Sequence, residues 1–169
     1  RISNPYFGKR MSTVEFSIST DFSDIEQGLA GLTARMAKKA VDGAITYAKT
    51  PMLKEAQEKA AKAEADHRME YGDGYVDVHP GLLKESIKWR KLKAKELQEL
   101  GVSAGGAIYI GKGKTQKLYP RYWHFIEYGT SALAPAPYFR PAFEQNKQLF
   151  LDRFCQKLRQ NIDKFGGGS

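Results

Sequence analysis

Two helical stripes enclose a short stretch whose apolar residues alternate instead, and that order leaves few folds open. Toward the C-terminus, Phe143, Leu151, Phe154, Leu158 and Ile162 recur at helical steps behind Pro141, with Phe150 flanking them. Residues three or four apart share a helix face, so a final helix is predicted from Pro141 to about Phe165. At the other end, Ile25, Leu29, Leu32, Met36, Ala40 and Tyr47 predict a first helix of about six turns. Ser23-Asp24-Ile25-Glu26 would open it with the hydroxyl and carboxylate of a capping box. Gly28, Gly31 and Gly43 weaken it by about 1 kcal/mol each against alanine, but they admit a closely packed partner. In between, Ser86-Ile87-Lys88-Trp89-Arg90-Lys91-Leu92-Lys93 alternates apolar and basic residues, the period of a strand with one wet, positive face. A second strand is expected around Ala107–Ile110, with Gly111-Lys112-Gly113-Lys114-Thr115 as the turn after it. The expectation is an α+β fold: a long N-terminal helix and a C-terminal helix packed on one face of a small, mostly antiparallel sheet.

The remaining segments decorate this plan. Residues 1–22 form an arm in which Val14–Ser19 alternates like a half-buried strand. Thr50-Pro51 reads as a helix restart, with Thr50 as N-cap. Lys54–Glu70 is nearly all Ala, Lys, Glu and Gln, with only Ala56, Ala60 and Ala63 as a stripe. It predicts an inserted helix, within an insertion at 51–80, that is either mobile and solvent-exposed or packs only in an assembly. Tyr71-Gly72-Asp73-Gly74-Tyr75 ends it with turn chemistry. Arg121–Tyr128 fits a strand or a short helix, and Ala134-Pro135-Ala136-Pro137 an extended, stiff loop. Residues 23–165 are read as one domain, and 166–169, Gly-Gly-Gly-Ser, as a flexible linker-like tail. Arg1 is no initiator, so either an upstream Met is missing or Met11 opens the native chain.

Composition narrows the function classes. Hydrophobic residues make up 41% of 169, enough to build a core, so wholesale disorder is not expected. No apolar run approaches the roughly 18 residues of a membrane span, and Arg1–Arg10 lacks the apolar stretch of a secretory signal. Cys155 is the single cysteine, which rules out an internal disulfide, and it reads as a small buried hydrophobe. A net charge of +8 favours contact with a polyanion, either nucleic acid or an acidic protein surface.

No reaction chemistry stands out. Gly111–Thr115 resembles a phosphate loop, but the glycine required five positions ahead of Gly113-Lys114-Thr115 is Ile108. For Gly106 with Gly111-Lys112 the spacing fits, and Gly113 then stands where a hydroxyl is needed; a charged turn is the better reading. His67, His79 and His124 are scattered, and Asp73, Asp77 and His79 lack the spacing of a calcium loop. Glu127, the one acid in an aromatic run, is open to two roles. It is either a general acid or, more commonly for such a carboxylate, an acceptor of backbone amides or of Arg121 or Arg140. No catalytic residue, metal ligand or cofactor is expected. A basic patch is expected from Lys88, Arg90, Lys91, Lys93, Lys95, Lys112, Lys114 and Lys117 around Trp89 and Tyr109, the pattern of backbone tracking with base stacking.

One pair of motifs goes further. Tyr122-Trp123-His124-Phe125-Ile126-Glu127-Tyr128-Gly129-Thr130 is followed, after a short loop, by Ala136-Pro137-Tyr138-Phe139-Arg140-Pro141-Ala142-Phe143-Glu144. Upstream stands Pro80-Gly81-Leu82-Leu83-Lys84-Glu85-Ser86-Ile87. This resembles the tail-component family of siphophages typified by the HK-ninety-seven gene-product-ten-like proteins, with the likeness spanning most of Ser23–Phe165. His79-Pro80 departs from the family's small hydroxyl residue, and 51–80 looks inserted. The resemblance implies a non-enzymatic tail-completion or head–tail joining subunit of the virion neck or upper tail, assembled in host cytoplasm. It implies a homo-oligomeric ring, a hexamer or a dodecamer. Its implied partners are a head-side connector or stopper and a tail terminator or tube protein, with genomic DNA passing nearby and no membrane. The implied structural and interface positions are Trp123, Phe125, Glu127, Tyr128, Gly129, Thr130, Pro137, Phe139, Arg140 and Pro141. Gly129 is expected at positive φ, and Thr130 is expected to bond its own turn.

Overall fold

The computed structural model describes residues 23–166; the arm at 1–22 with its predicted strand, and residues 167–169, lie outside the described residues. The order is α1 (Ser23–Ala30), α2 (Ala34–Ala48), α3 (Thr50–Lys59), β1 (His67–Tyr71), β2 (Gly74–Val78) and α4 (Leu82–Ser86). Then follow β3 (Ile87–Lys91), α5 (Ala94–Leu100), β4 (Gly106–Ile110), α6 (Trp123–Tyr128) and α7 (Phe139–Gly166). The α+β class is as expected, with a long C-terminal helix as its spine.

Helix α7, 28 residues and about 42 Å long, carries α1, α2 and α3 along its length. The expected six-turn first helix is in fact two. After Gly31 the chain bends, and Thr33, in extended conformation, starts α2 by accepting a hydrogen bond from the Met36 amide at 3.4 Å. The buried face of α2 is Ala40, Ala44 and Ala48, so the stripe expected through Met36 and Tyr47 is displaced, and both are exposed. Small side chains bring α2 against α7, and Gly43 sits so close that a Cβ there would lie 3.1 Å from Asn161 Nδ2. Ile25, Ala40, Ala44, Cys155 and Leu158 form the core at this end. The proposed capping box rests on the Ser23 side chain, which lies outside the described part of the chain.

The inserted helix is present but differs from its expectation. It stops at Lys59, and it is packed: Met52, Ala56 and Ala60 are buried, the last two in a core with Leu83, Ile87, Tyr138 and Ala142. Thr50 lies inside it and donates its hydroxyl to Tyr47 O at 3.0 Å, so Lys49, not Thr50, is the cap position. His67–Glu70, assigned to this helix by propensity, belongs instead to the strand β1, which runs on to Tyr71. Only Met69 of that segment is buried between exposed Arg68 and Glu70, the alternation of a pleated edge. It pairs with β2 across the two-residue Gly72-Asp73 turn, where Gly72 has φ +67°.

Instead of one sheet there are two antiparallel pairs, β1–β2 and β3–β4. In the second, Ile87 faces Ile110, Trp89 faces Ile108 and Lys91 faces Gly106, with α5 inside the connection. The strand expected over Ser86–Lys93 is Ile87–Lys91 in the structure, and Ser86 instead ends the short helix α4, entered through Gly81 at φ +96°. Arg121–Tyr128 resolves as helix, and α7 begins two residues ahead of Pro141, which its first turn accommodates. Gly166, expected in the flexible tail, closes α7.

Candidate functional site

The aromatic motif folds as a clamp between α6 and the start of α7. Glu127, 5% exposed, points from the last turn of α6 into the N-terminus of α7. Its Oε2 accepts the amides of Tyr138 and Phe139 and its Oε1 that of Arg140, each at 2.9 Å. The first amides of a helix have no partner within it and carry partial positive charge, so a carboxylate satisfies both needs. Of the two roles open to Glu127, the geometry is that of amide acceptor. Neither arginine holds it: Arg121 lies over the Tyr71 ring, 5.3 Å from its centroid, and the Arg140 side chain is exposed.

Gly129 makes the turn that aims Glu127. Its φ is +74° and ψ −179°, a conformation almost confined to glycine, and its amide closes α6 on Phe125 O at 2.9 Å. Thr130 Oγ1 then accepts the amides of Ala132 and Leu133, and Ala136 N donates to Ile126 O at 2.8 Å. Both expectations for this turn hold. Trp123 Nε1 donates to the Tyr119 hydroxyl at 2.9 Å, while Phe139 packs between Tyr138 and Phe143, and Pro137 is exposed. Tyr138 is buried, and desolvation, then the nearby Glu127 charge, pushes its phenol far above the usual range. The clamp leaves three large apolar side chains outside, Phe125 at 46% exposure, Tyr128 at 67% and Leu133 at 49%, beside exposed His124, Thr130 and Arg140.

The expected basic patch is divided. Successive residues of a strand point to opposite faces, and Trp89 is paired with Ile108 while Tyr109 is paired with Lys88. The two rings therefore sit on opposite sides and form no common stacking platform. Arg90 is held by Glu96 through two bonds of 2.6 and 2.5 Å, and Lys91 by Asp42 at 2.8 Å. Lys93 and Lys95 are exposed at the start of α5, and Lys112, Lys114 and Lys117 are exposed on the loop after β4. That loop is shaped from inside by Glu85, which accepts the Thr115 and Gln116 amides at 2.8 and 3.2 Å. Burial pushes the Glu85 carboxyl up, but these amides outweigh it and the net shift is downward. A carboxylate thus stands where a phosphate loop would hold its anion.

Asp73, Asp77 and His79 do not converge: His79 Nδ1 meets Asp66 Oδ2 at 2.9 Å, and Asp77 meets Arg68 at 3.5 Å. Among the described residues, no group of three His, Cys, Asp or Glu could hold a metal ion, and no helix is long and apolar enough to cross a membrane. Cys155 is buried on α7, and desolvation raises its thiol pKa.

One feature was not foreseen in the sequence. An open groove of about 660 Å³ runs between α2 and the end of α7, with Arg35, Lys38, Lys39 and Lys91 on its walls. Its signal was available as cations at positions 35, 38 and 39, on one helical face, in a helix whose only acid is Asp42. Comparison of the chain with family models, curated proteins and solved structures gave no match.

Proposed function

We propose that this chain is a non-enzymatic structural subunit of a phage neck or upper tail, a tail-completion or head–tail joining part. It works as a homo-oligomeric ring, a hexamer or a dodecamer, docked between a head-side connector and the tail terminator or tube, and it continues the DNA channel. The observation that carries the reading is the Glu127 clamp. The motif behind the resemblance uses the one acid of its aromatic run, Glu127, to fix one helix to another, leaving Phe125, Tyr128 and Leu133 outside on a stiff support. Exposed large apolar side chains on a preorganised turn suit a docking face, since little entropy is lost when a partner covers them. Native mass spectrometry and negative-stain microscopy of the purified chain test this. A closed ring that breaks down in the Phe125→Ser/Tyr128→Ser variant, with its circular dichroism unchanged, supports the reading. A wild-type chain that stays monomeric at every concentration reached contradicts it.

A further inference from the structure

We infer that the groove between α2 and the C-terminal turns of α7 is a surface for the phosphate backbone of duplex DNA, bound without regard to sequence. Arg35, Lys38 and Lys39 lie on one side of α2, and the stripe continues through Asp42 to Thr46, about 16 Å along the axis. Lys91 enters from the end of β3 and neutralises Asp42 at 2.8 Å, so the one acid in the groove wall is already paired. Among the described residues, Arg35, Lys38 and Lys39 have no carboxylate partner. Lys39 is instead steered by the Phe165 ring, 5.6 Å from its centroid, which holds its ammonium at the groove mouth. The floor is rigid: Asn161 Nδ2 donates to Ala40 O at 2.9 Å, and Gly43 leaves room for that contact.

The composition of the groove decides the class of partner. A protein partner is anchored by aromatic or aliphatic side chains in desolvated pockets, and Phe165, already covered by Lys39, is the one large apolar residue lining this groove. Binding to phosphates needs only cations spaced along a backbone, with release of counterions as the driving force. Thr46 spends its hydroxyl on Asp42 O and Asn161 its amide on Ala40 O, so the free donors of the groove are the cations alone, which suits phosphate contact rather than reading of a base sequence. Ring assembly is not required for it, because the groove is complete within one subunit.

The test is fluorescence anisotropy of a labelled mixed-sequence duplex titrated with the full chain over a series of salt concentrations. The Arg35→Gln/Lys38→Gln/Lys39→Gln variant is expected to lower the slope of log K against log salt by about 2–3, near 0.9 for each phosphate no longer neutralised. Lys112→Gln/Lys114→Gln/Lys117→Gln removes the same charge elsewhere and is expected to leave the slope nearly unchanged. Lys38→Gln alone should lower it by about 1, which keeps the test intact if the triple variant folds poorly. Equal losses in both triple variants, a larger loss in the loop variant, or binding of polyglutamate but not DNA by the wild-type chain would each overturn the proposal. A monomer that binds DNA in this way would sink the ring while leaving the groove standing.

Discussion

Replacing Glu127 with glutamine keeps the shape of the clamp and removes its charge. The carboxylate accepts three amides, two on Oε2 and one on Oε1. Glutamine offers one acceptor oxygen, so its better orientation keeps Tyr138 and Phe139 and turns an NH2 group toward the Arg140 amide. One charge-assisted bond becomes a donor facing a donor, and the other two become ordinary bonds. Hydrogen bonds to charged groups contribute about 1.5–3 kcal/mol and neutral ones about 1, so the expected loss is about 2–4 kcal/mol. At 5% exposure solvent relieves little of it. For a chain of this size that corresponds to a melting temperature lower by roughly 5–15 °C. Urea unfolding followed by circular dichroism at neutral pH should show a lower midpoint at unchanged slope, whereas exposed Glu144→Gln should stay near wild type. A Glu127→Gln variant within about 0.5 kcal/mol of wild type would refute the clamp as a stabilising device.

Gly129→Ala is expected to cost about 2–4 kcal/mol, from strain at a glycine-only conformation and from a Cβ placed 2.8 Å from Leu133 O. An unchanged melting temperature would show that the turn carries no such strain. Glu96 has its carboxyl pulled from 4.5 to about 2, first by the Arg90 hydrogen bond and then by the Lys93 amide. A depressed folded-state pKa contributes stability above about pH 4.5 that is lost as pH falls toward 2, so Glu96→Gln should flatten the drop in urea midpoint across that window. An identical pH profile in both proteins would contradict the assignment. Hydrogen exchange should find the amides of Leu53–Lys59 protected in the free subunit, because α3 is packed on α7 through Met52 and Ala56. Unprotected exchange there would restore the idea of a helix that orders only on assembly.

How much could be read beforehand depended on which signal dominated each segment. The C-terminal helix, the β3 and β4 strands and the Gly72-Asp73 turn announced themselves through bulky periodicity or turn chemistry. The face of α2 did not, because Ala40, Ala44 and Ala48 are buried for their smallness, and a stripe drawn through the larger Met36 and Tyr47 points elsewhere. His67–Tyr71 misleads because Ala/Lys/Glu propensity continues past Lys59, while pairing with β2, a tertiary effect, decides its conformation. In the motif, the positive φ of Gly129 was legible because it follows from one residue's chemistry. For Glu127 the sequence left a general acid, an arginine partner and backbone amides open, and only the placement of the α7 N-terminus selects the amides. The division of the basic patch was not, because it turns on strand register and on Glu96 and Asp42 reaching their cations. The α2 groove needed α7 and β3 in place before its cations could be seen to face one space.

A role at the phage neck or upper tail is tested most directly by electron microscopy of lysates from a phage whose copy of this gene carries an early stop codon. Filled heads lying beside separate tails, or heads bearing malformed tails, are expected, with normal particles restored by wild-type protein supplied in trans. Intact, infectious particles in the absence of the protein would contradict that role.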